Sequence, residues 1–142
     1  MPILTRWAIK AAMIYLVLGM ISGVLYWANV QWNIWQLLSA LNPIYIHMLV
    51  VGWLTQLIFG VIYWMFPIIS KENMRGDPRL AWSVFILLNV GLVLRIICEP
   101  WQTLAPGSLT GLGLVMSAIL QVAAVYMFVL VCWPRVRERA GV

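Results

Sequence analysis

Residues Pro43–Phe66 read PIYIHMLVVGWLTQLIFGVIYWMF, a run of 24 residues without one Asp, Glu, Lys or Arg. Roughly 20 predominantly apolar residues carry an α-helix across a hydrocarbon core of about 30 Å. A surface helix of a soluble protein would show a polar face at helical spacing, and this stretch has none. It therefore reads as a membrane span. Three further runs share its character, at about Trp7–Ala28, Leu80–Cys98 and Leu109–Trp133. The expectation is an all-α integral membrane four-helix bundle, with residues 1–142 forming a single transmembrane domain.

Punctuation supports these limits. Pro43 fits the first turn of a helix, where its missing N–H costs nothing. Pro67, Pro100 and Pro134 each follow an apolar run and are expected to stop it. Trp7, Trp27, Trp32, Trp35, Trp64, Trp82, Trp101 and Trp133 gather at the expected boundaries, where an aromatic belt rests at headgroup depth.

Composition agrees. Charged residues make up 9% of the chain and apolar ones 64%, whereas a soluble domain carries roughly a quarter charged residues. Cys98 and Cys132 are too few and too far apart for a disulfide framework. The opening MPILTRWAIK has bases ahead of an apolar stretch, as a signal peptide does. That stretch runs about 20 residues, beyond the ~7–15 of a signal core, and no small-residue cleavage site closes it. It reads as a retained first helix.

The bases set an expected orientation. With four spans, Arg6, Lys10, Lys71, Arg75, Arg79, Arg135, Arg137 and Arg139 all fall on one side, and loops Asn29–Asn42 and Glu99–Ser108 carry none. The positive-inside rule then places both termini in the cytoplasm, as expected of a multi-pass protein of the inner (cytoplasmic) membrane. The net charge of +5 is thus accounted for by topology and anionic lipid, with no nucleic-acid partner.

Ionisable groups at membrane depth are costly and mark functional sites. Three qualify: His47, the only histidine, and Arg95 and Glu99 in the last turn of the third run. All lie toward the base-free side, so one layer can hold them. A neutral imidazole is a good ligand for heme iron, and Gly52 and Gly60 remove bulk beside an apolar wall of Val51, Leu54 and Ile58 that suits a flat macrocycle. The simpler alternative is a histidine that hydrogen-bonds a neighbouring helix. Arg95 and Glu99 stand i,i+4 and can pair with each other; alternatively Arg95 meets an anionic group such as a heme propionate, or a quinone carbonyl.

Gln56, Asn89 and Gln121 lie deeper, where such residues glue helices together. No Asp, Glu or Lys sits at that depth, which argues against a proton pump or ion-coupled transporter. Gly19 and Gly23 form a GxxxG, a close-packing pattern. No phosphate loop, nucleophile elbow or cluster of metal ligands is present, so no catalysis is expected from this chain alone.

The stretch from His47 to Pro67, with Gly60, Tyr63 and Trp64, resembles the second transmembrane helix of subunit I in the heme-copper oxidase superfamily. The likeness is closest to the cbb-type oxidases and nitric oxide reductases, and it extends over about residues 40–100. In that family a histidine near the external end of this helix is an axial ligand of the low-spin heme. The resemblance implies that His47 ligates a heme, heme b, with Arg95 neutralising a propionate and Glu99 holding the arginine. This chain departs from the family by ending after four spans with no other histidine, so it lacks the oxygen- or nitric-oxide-reducing centre. A second axial ligand would come from His47 of another copy, from a partner subunit, or from Met116 at similar depth on the fourth run, since His/Met ligation occurs in cytochromes.

The function expected is therefore that of a heme-binding membrane electron-transfer protein or subunit, in contact with the lipid bilayer, with further copies or other membrane subunits, and with a redox partner. The alternative is a cofactor-free structural or assembly subunit of a membrane respiratory complex, in which His47, Arg95 and Glu99 form a polar cluster between helices.

Overall fold

A computed structural model describes residues 1–67 and 75–136. Lys71, Arg137 and Arg139, used above for orientation, lie outside the described residues. Among the described residues there is no strand. Four helical rods are long and apolar enough to cross a membrane: α1 (Ile3–Trp32), α2 (Gln36–Met65), α3 (Pro78–Leu104) and α4 (Ser108–Cys132), the last extended by a 3-10 turn, Trp133–Arg135.

Three rods outrun the expected spans, whereas the α-helix of α4 matches its span to within one residue at each end. α1 continues past Ala28 to Trp32 and stops where Asn33 turns left-handed (φ 49°), its N–H bonded to Asn29 O at 2.8 Å. Asparagine enters this region more readily than most residues. The buried Asn29 side chain then folds the connection back, its Oδ1 accepting from the Trp35 N–H at 2.8 Å and its Nδ2 donating to Ser39 Oγ at 3.1 Å. A 3-10 turn, Gln36–Ala40, leads directly into the α-helical segment Leu41–His47. Pro43 consequently does not open α2, as the sequence implied, but sits just inside the α-helical part of it.

Pro100 does not stop its helix. The helix runs through it to Leu104, although its ring removes the hydrogen bond owed to the Ile96 carbonyl. Membrane helices tolerate such a proline when side chains supply local support. Here the Thr103 hydroxyl donates to Glu99 O at 3.0 Å. Gln102 Oε1 accepts from the Gly107 N–H at 3.4 Å and contacts Thr110 Oγ1. The turn Ala105–Gly107 is thereby drawn back onto the end of α3. Pro67 does follow the end of its helix, behind Phe66 in extended backbone.

α3 is opened by Asp77, whose Oδ1 accepts from the Arg79 N–H at 2.8 Å while Pro78 takes the first helical position.

Because lipid tails are as apolar as leucine, close van der Waals fit and polar bonds hold such helices together. α1 lies along α2, α3 along α4, and the two hairpins join mainly where α2 meets α3. Gly19 and Gly23 form the α1 side of the first contact: a Cβ at Gly19 would stand 2.9 Å from Leu49 Cδ2, and one at Gly23 3.5 Å from the Tyr45 ring. Gly91 brings α3 onto α4, where a Cβ would stand 3.1 Å from Ser117 O and the Ser117 hydroxyl donates to Gly91 O at 2.6 Å. Tyr15, Ile44, Met48 and Leu92 form one buried cluster; Tyr63, Ala81, Val131 and Cys132 form another at the opposite end. Trp7, Trp27, Trp32, Trp35, Trp64, Trp101 and Trp133 are exposed near the rod ends, as an interfacial belt requires.

Candidate functional site

The rod α2 changes pitch at its centre. After the α-helical turns Leu41–His47, residues Met48–Thr55 adopt a π-helix, and α-helical pairing resumes over Gln56–Met65. π-Segments are rare and recur at functional sites. Thr55 supports this one, its hydroxyl donating to the Val50 carbonyl five residues back at 2.8 Å. At the crossing point Gly52 meets both neighbouring rods: a Cβ there would lie 2.6 Å from Tyr15 Cγ and 2.8 Å from Leu92 Cδ2. Gly52 therefore admits side chains of α1 and α3. The space that the sequence reading assigned to a macrocycle is filled by Tyr15 and Leu92, and likewise a Cβ at Gly60 would meet Ala8 Cβ at 3.0 Å.

His47 is the residue immediately before the π-segment and is half-buried. Its Nδ1 stands 2.7 Å from Pro43 O. A carbonyl only accepts, so Nδ1 carries the proton and donates, which leaves Nε2 with its lone pair. Nε2 has no partner among the described residues, and it is not enclosed either. An imidazole held through one nitrogen with the other free is the arrangement that metal-ligating histidines adopt.

Arg95 and Glu99 pair as their spacing foretold, with Nε 3.0 Å from Oε2 and side chains 22% and 14% exposed. Neither of these two atoms has an aligned hydrogen bond, so the contact is one of charge. An acid preceding a base is the more favourable order on a helix, and here the base comes first. Helix stability alone is thus a weak reason for the pair.

His47 flanks Met48, which packs with Ile44 against Leu92, and Ile96 joins that cluster. Sequence neighbours of His47 and of Arg95 thus share one cluster, and no hydrogen bond or ion pair joins His47 to Arg95 or Glu99 among the described residues. Met116 is not brought to them. It is 42% exposed on α4, and α4 meets α2 chiefly through the segment Gln56–Met65.

The deep amides divide. Gln56 Nε2 donates across to Ala8 O at 3.3 Å, and Gln121 Nε2 donates to Ser117 Oγ at 3.2 Å, extending the bond that joins α4 to α3. Both act as the expected glue. Asn89 bonds back to Phe85 O within its own helix at 2.8 Å and links nothing. Gln56, 1% exposed, also borders a cavity of about 30 Å³ among all four rods, with Ala8, Gly60, Leu88 and Phe128.

One residue that the sequence reading left in the basic tail proves structural. Arg135 is 1% exposed. Its Nη2 donates to Tyr63 O at 3.0 Å and Phe66 O at 2.7 Å, and its Nε to Pro67 O at 3.1 Å. The last carbonyls of a helix lack intrahelical donors, so the guanidinium caps α2 with a charge of the sign its C-terminus favours. A basic residue just beyond the partner helix is a faint signal for this; the unsatisfied carbonyls of α2 are the stronger one.

Four long apolar rods with tryptophans at their ends make this a multi-pass helical membrane protein. A family model described as a protein of unknown function (DUF2871) matches residues 5–132, and the chain belongs to that family. No curated protein and no solved structure matches it.

Proposed function

We propose that this chain is a heme-binding electron-transfer protein, or the heme-binding subunit of a larger membrane complex, with His47 as an axial ligand of heme b. The observation that carries this reading is the 2.7 Å contact of His47 Nδ1 with Pro43 O, which leaves Nε2 unpaired and open. A bound heme supplies reversible one-electron chemistry at its iron. His47 holds the ligating nitrogen in one tautomer and in one orientation through the helix backbone. Arg95, about a fifth exposed, provides a cation for a propionate while Glu99 restrains it. Gly52 and Met116 play no part in the binding: the first serves helix packing and the second is remote from α2.

In this reading both termini face the cytoplasm and His47 lies toward the outer side of the inner membrane. Arg6, Lys10, Arg75, Arg79 and Arg135 all belong to one end of the bundle, and that asymmetry supports the orientation.

The test is an optical spectrum of the purified protein, oxidised and dithionite-reduced, beside His47→Ala. A Soret and α-band signal lost in the variant supports the proposal. A colourless protein made with ample heme supply refutes it. That result would favour the cofactor-free structural subunit, in which Arg95 is paired with Glu99 by charge and with no ligand.

A further inference from the structure

The cavity of about 30 Å³ among the four rods is walled by Leu4, Ala8, Val84, Leu88 and the stacked rings of Phe59 and Phe128, whose centroids are 3.7 Å apart. One water molecule needs roughly 10–15 Å³ of such volume. These walls are apolar, and a wholly apolar cavity stays dry. Gln56 changes that. It borders the cavity and is 1% exposed. Its Nε2 donates to Ala8 O at 3.3 Å, while its Oε1, an acceptor with two lone pairs, receives no hydrogen bond among the described residues. A second orphaned oxygen belongs to the same contact between α1 and α2. Thr5 is 0% exposed, and its Oγ1 has no partner among the described residues. Thr5 and Ala8 pack together at Gly60, one turn from Gln56: a Cβ at Gly60 would stand 3.0 Å from Ala8 Cβ and 3.7 Å from Thr5 O.

We propose that this cavity holds one ordered water molecule, which donates to Gln56 Oε1 and hydrogen-bonds the Thr5 hydroxyl. Buried polar atoms are satisfied by protein or by ordered water in the great majority of cases, and the cavity supplies both the room and the acceptor. The water turns a single long amide bond into a two-branched polar joint between α1 and α2. Within hydrocarbon no solvent reaches a stray acceptor, and polar joints of this kind hold helices together. The supply of water is close. Tyr63, Ala81 and Val131 border the same cavity and belong to the buried cluster at one end of the bundle, where Arg135 bonds to Tyr63 O. Exchange through that end does not cross the middle of the membrane. The site is independent of any heme at His47.

The experiment is solution NMR of the full chain in lipid nanodiscs with nitrogen-labelled glutamine side chains, the Gln56 signal being the one lost in Gln56→Leu. The proposal expects a cross-peak from the Gln56 Nε2 protons to water, with the sign of a long-lived contact. Val84→Ile adds a methylene to the cavity wall and leaves both oxygens in place. It should abolish the cross-peak and lower the melting temperature, because the displaced water leaves Oε1 unsatisfied. Gln56→Leu removes the oxygen and its water together, so in that background the same methylene should leave the melting temperature unchanged or raise it. That pair also shows that chains carrying Val84→Ile fold. A cross-peak that survives Val84→Ile arises from exchange of the Thr5 hydroxyl proton and overturns the proposal. So does a wild-type protein without the cross-peak, or one that Val84→Ile stabilises, since filling a dry cavity is favourable.

Discussion

The His47 ring is tethered through Nδ1 to the carbonyl of Pro43, one helical turn earlier, at 2.7 Å. Proline cannot donate, so position 43 takes part through its carbonyl alone. The tether decides which imidazole nitrogen is available. It also makes the substitution at this position separable from packing, because the histidine is half-buried and fills no core cluster.

His47→Ala should abolish heme binding while preserving the fold. Circular dichroism and the melting temperature in detergent should stay near the wild-type, since surface-facing changes usually fall within about 0.5 kcal/mol. The Soret band should vanish. A retained Soret band would move the ligand elsewhere.

Arg95→Leu removes a cation beside the proposed heme and leaves Glu99 unpaired. The oxidised iron carries the additional positive charge, so losing a cation favours it and the midpoint potential should fall. A loss of about 1.4 kcal/mol corresponds to about 60 mV for a one-electron couple. Glu99→Gln should move the potential upward. A redox titration unchanged in both variants would leave the pair with no role in heme binding.

Arg135→Ala would strip the donors from three carbonyls at the end of α2. Bonds to a charged group are worth about 1.5–3 kcal/mol each and are not additive, so a loss of about 3 kcal/mol is expected in detergent unfolding. Arg135→Lys should recover only part of it, because an ammonium lacks the planar fork that reaches several carbonyls at once. Equal stability of wild-type and alanine variant would rule out the capping role.

Gly52→Ala places a methyl group within 2.8 Å of both Tyr15 and Leu92. Overpacking of this kind costs about 1–3 kcal/mol, and the melting temperature should drop accordingly. Gln56→Leu should behave differently. It gives up one long bond of 3.3 Å to Ala8 O and removes a buried oxygen that has no partner. Its effect should be within about 1 kcal/mol of zero or stabilising.

Much of the architecture follows from local composition. The absence of charge over Pro43–Phe66 requires a span, because a helix is the simplest way to satisfy the backbone within hydrocarbon. The i,i+4 spacing of Arg95 and Glu99 requires that they be neighbours once that segment is helical. The tryptophans mark the ends for the same kind of reason, since the ring's own amphipathic character selects the depth. Charge asymmetry, read with the helix count, sets an expected orientation.

Other features depended on residues far apart in the chain. Pro100 could remain inside α3 because Thr103, Gln102 and the turn before α4 support the last helical turns. Arg135 became a cap through carbonyls 68 to 72 residues away at the end of α2. Gly52 serves close packing because Tyr15 and Leu92 converge on it from two other helices. A residue's own chemistry and its near neighbours dictate which helix forms and how deep it lies. Which face of that helix is covered, and which polar atom is left free, depends on the surfaces other helices bring to it, and sequence spacing along one rod carries no record of those.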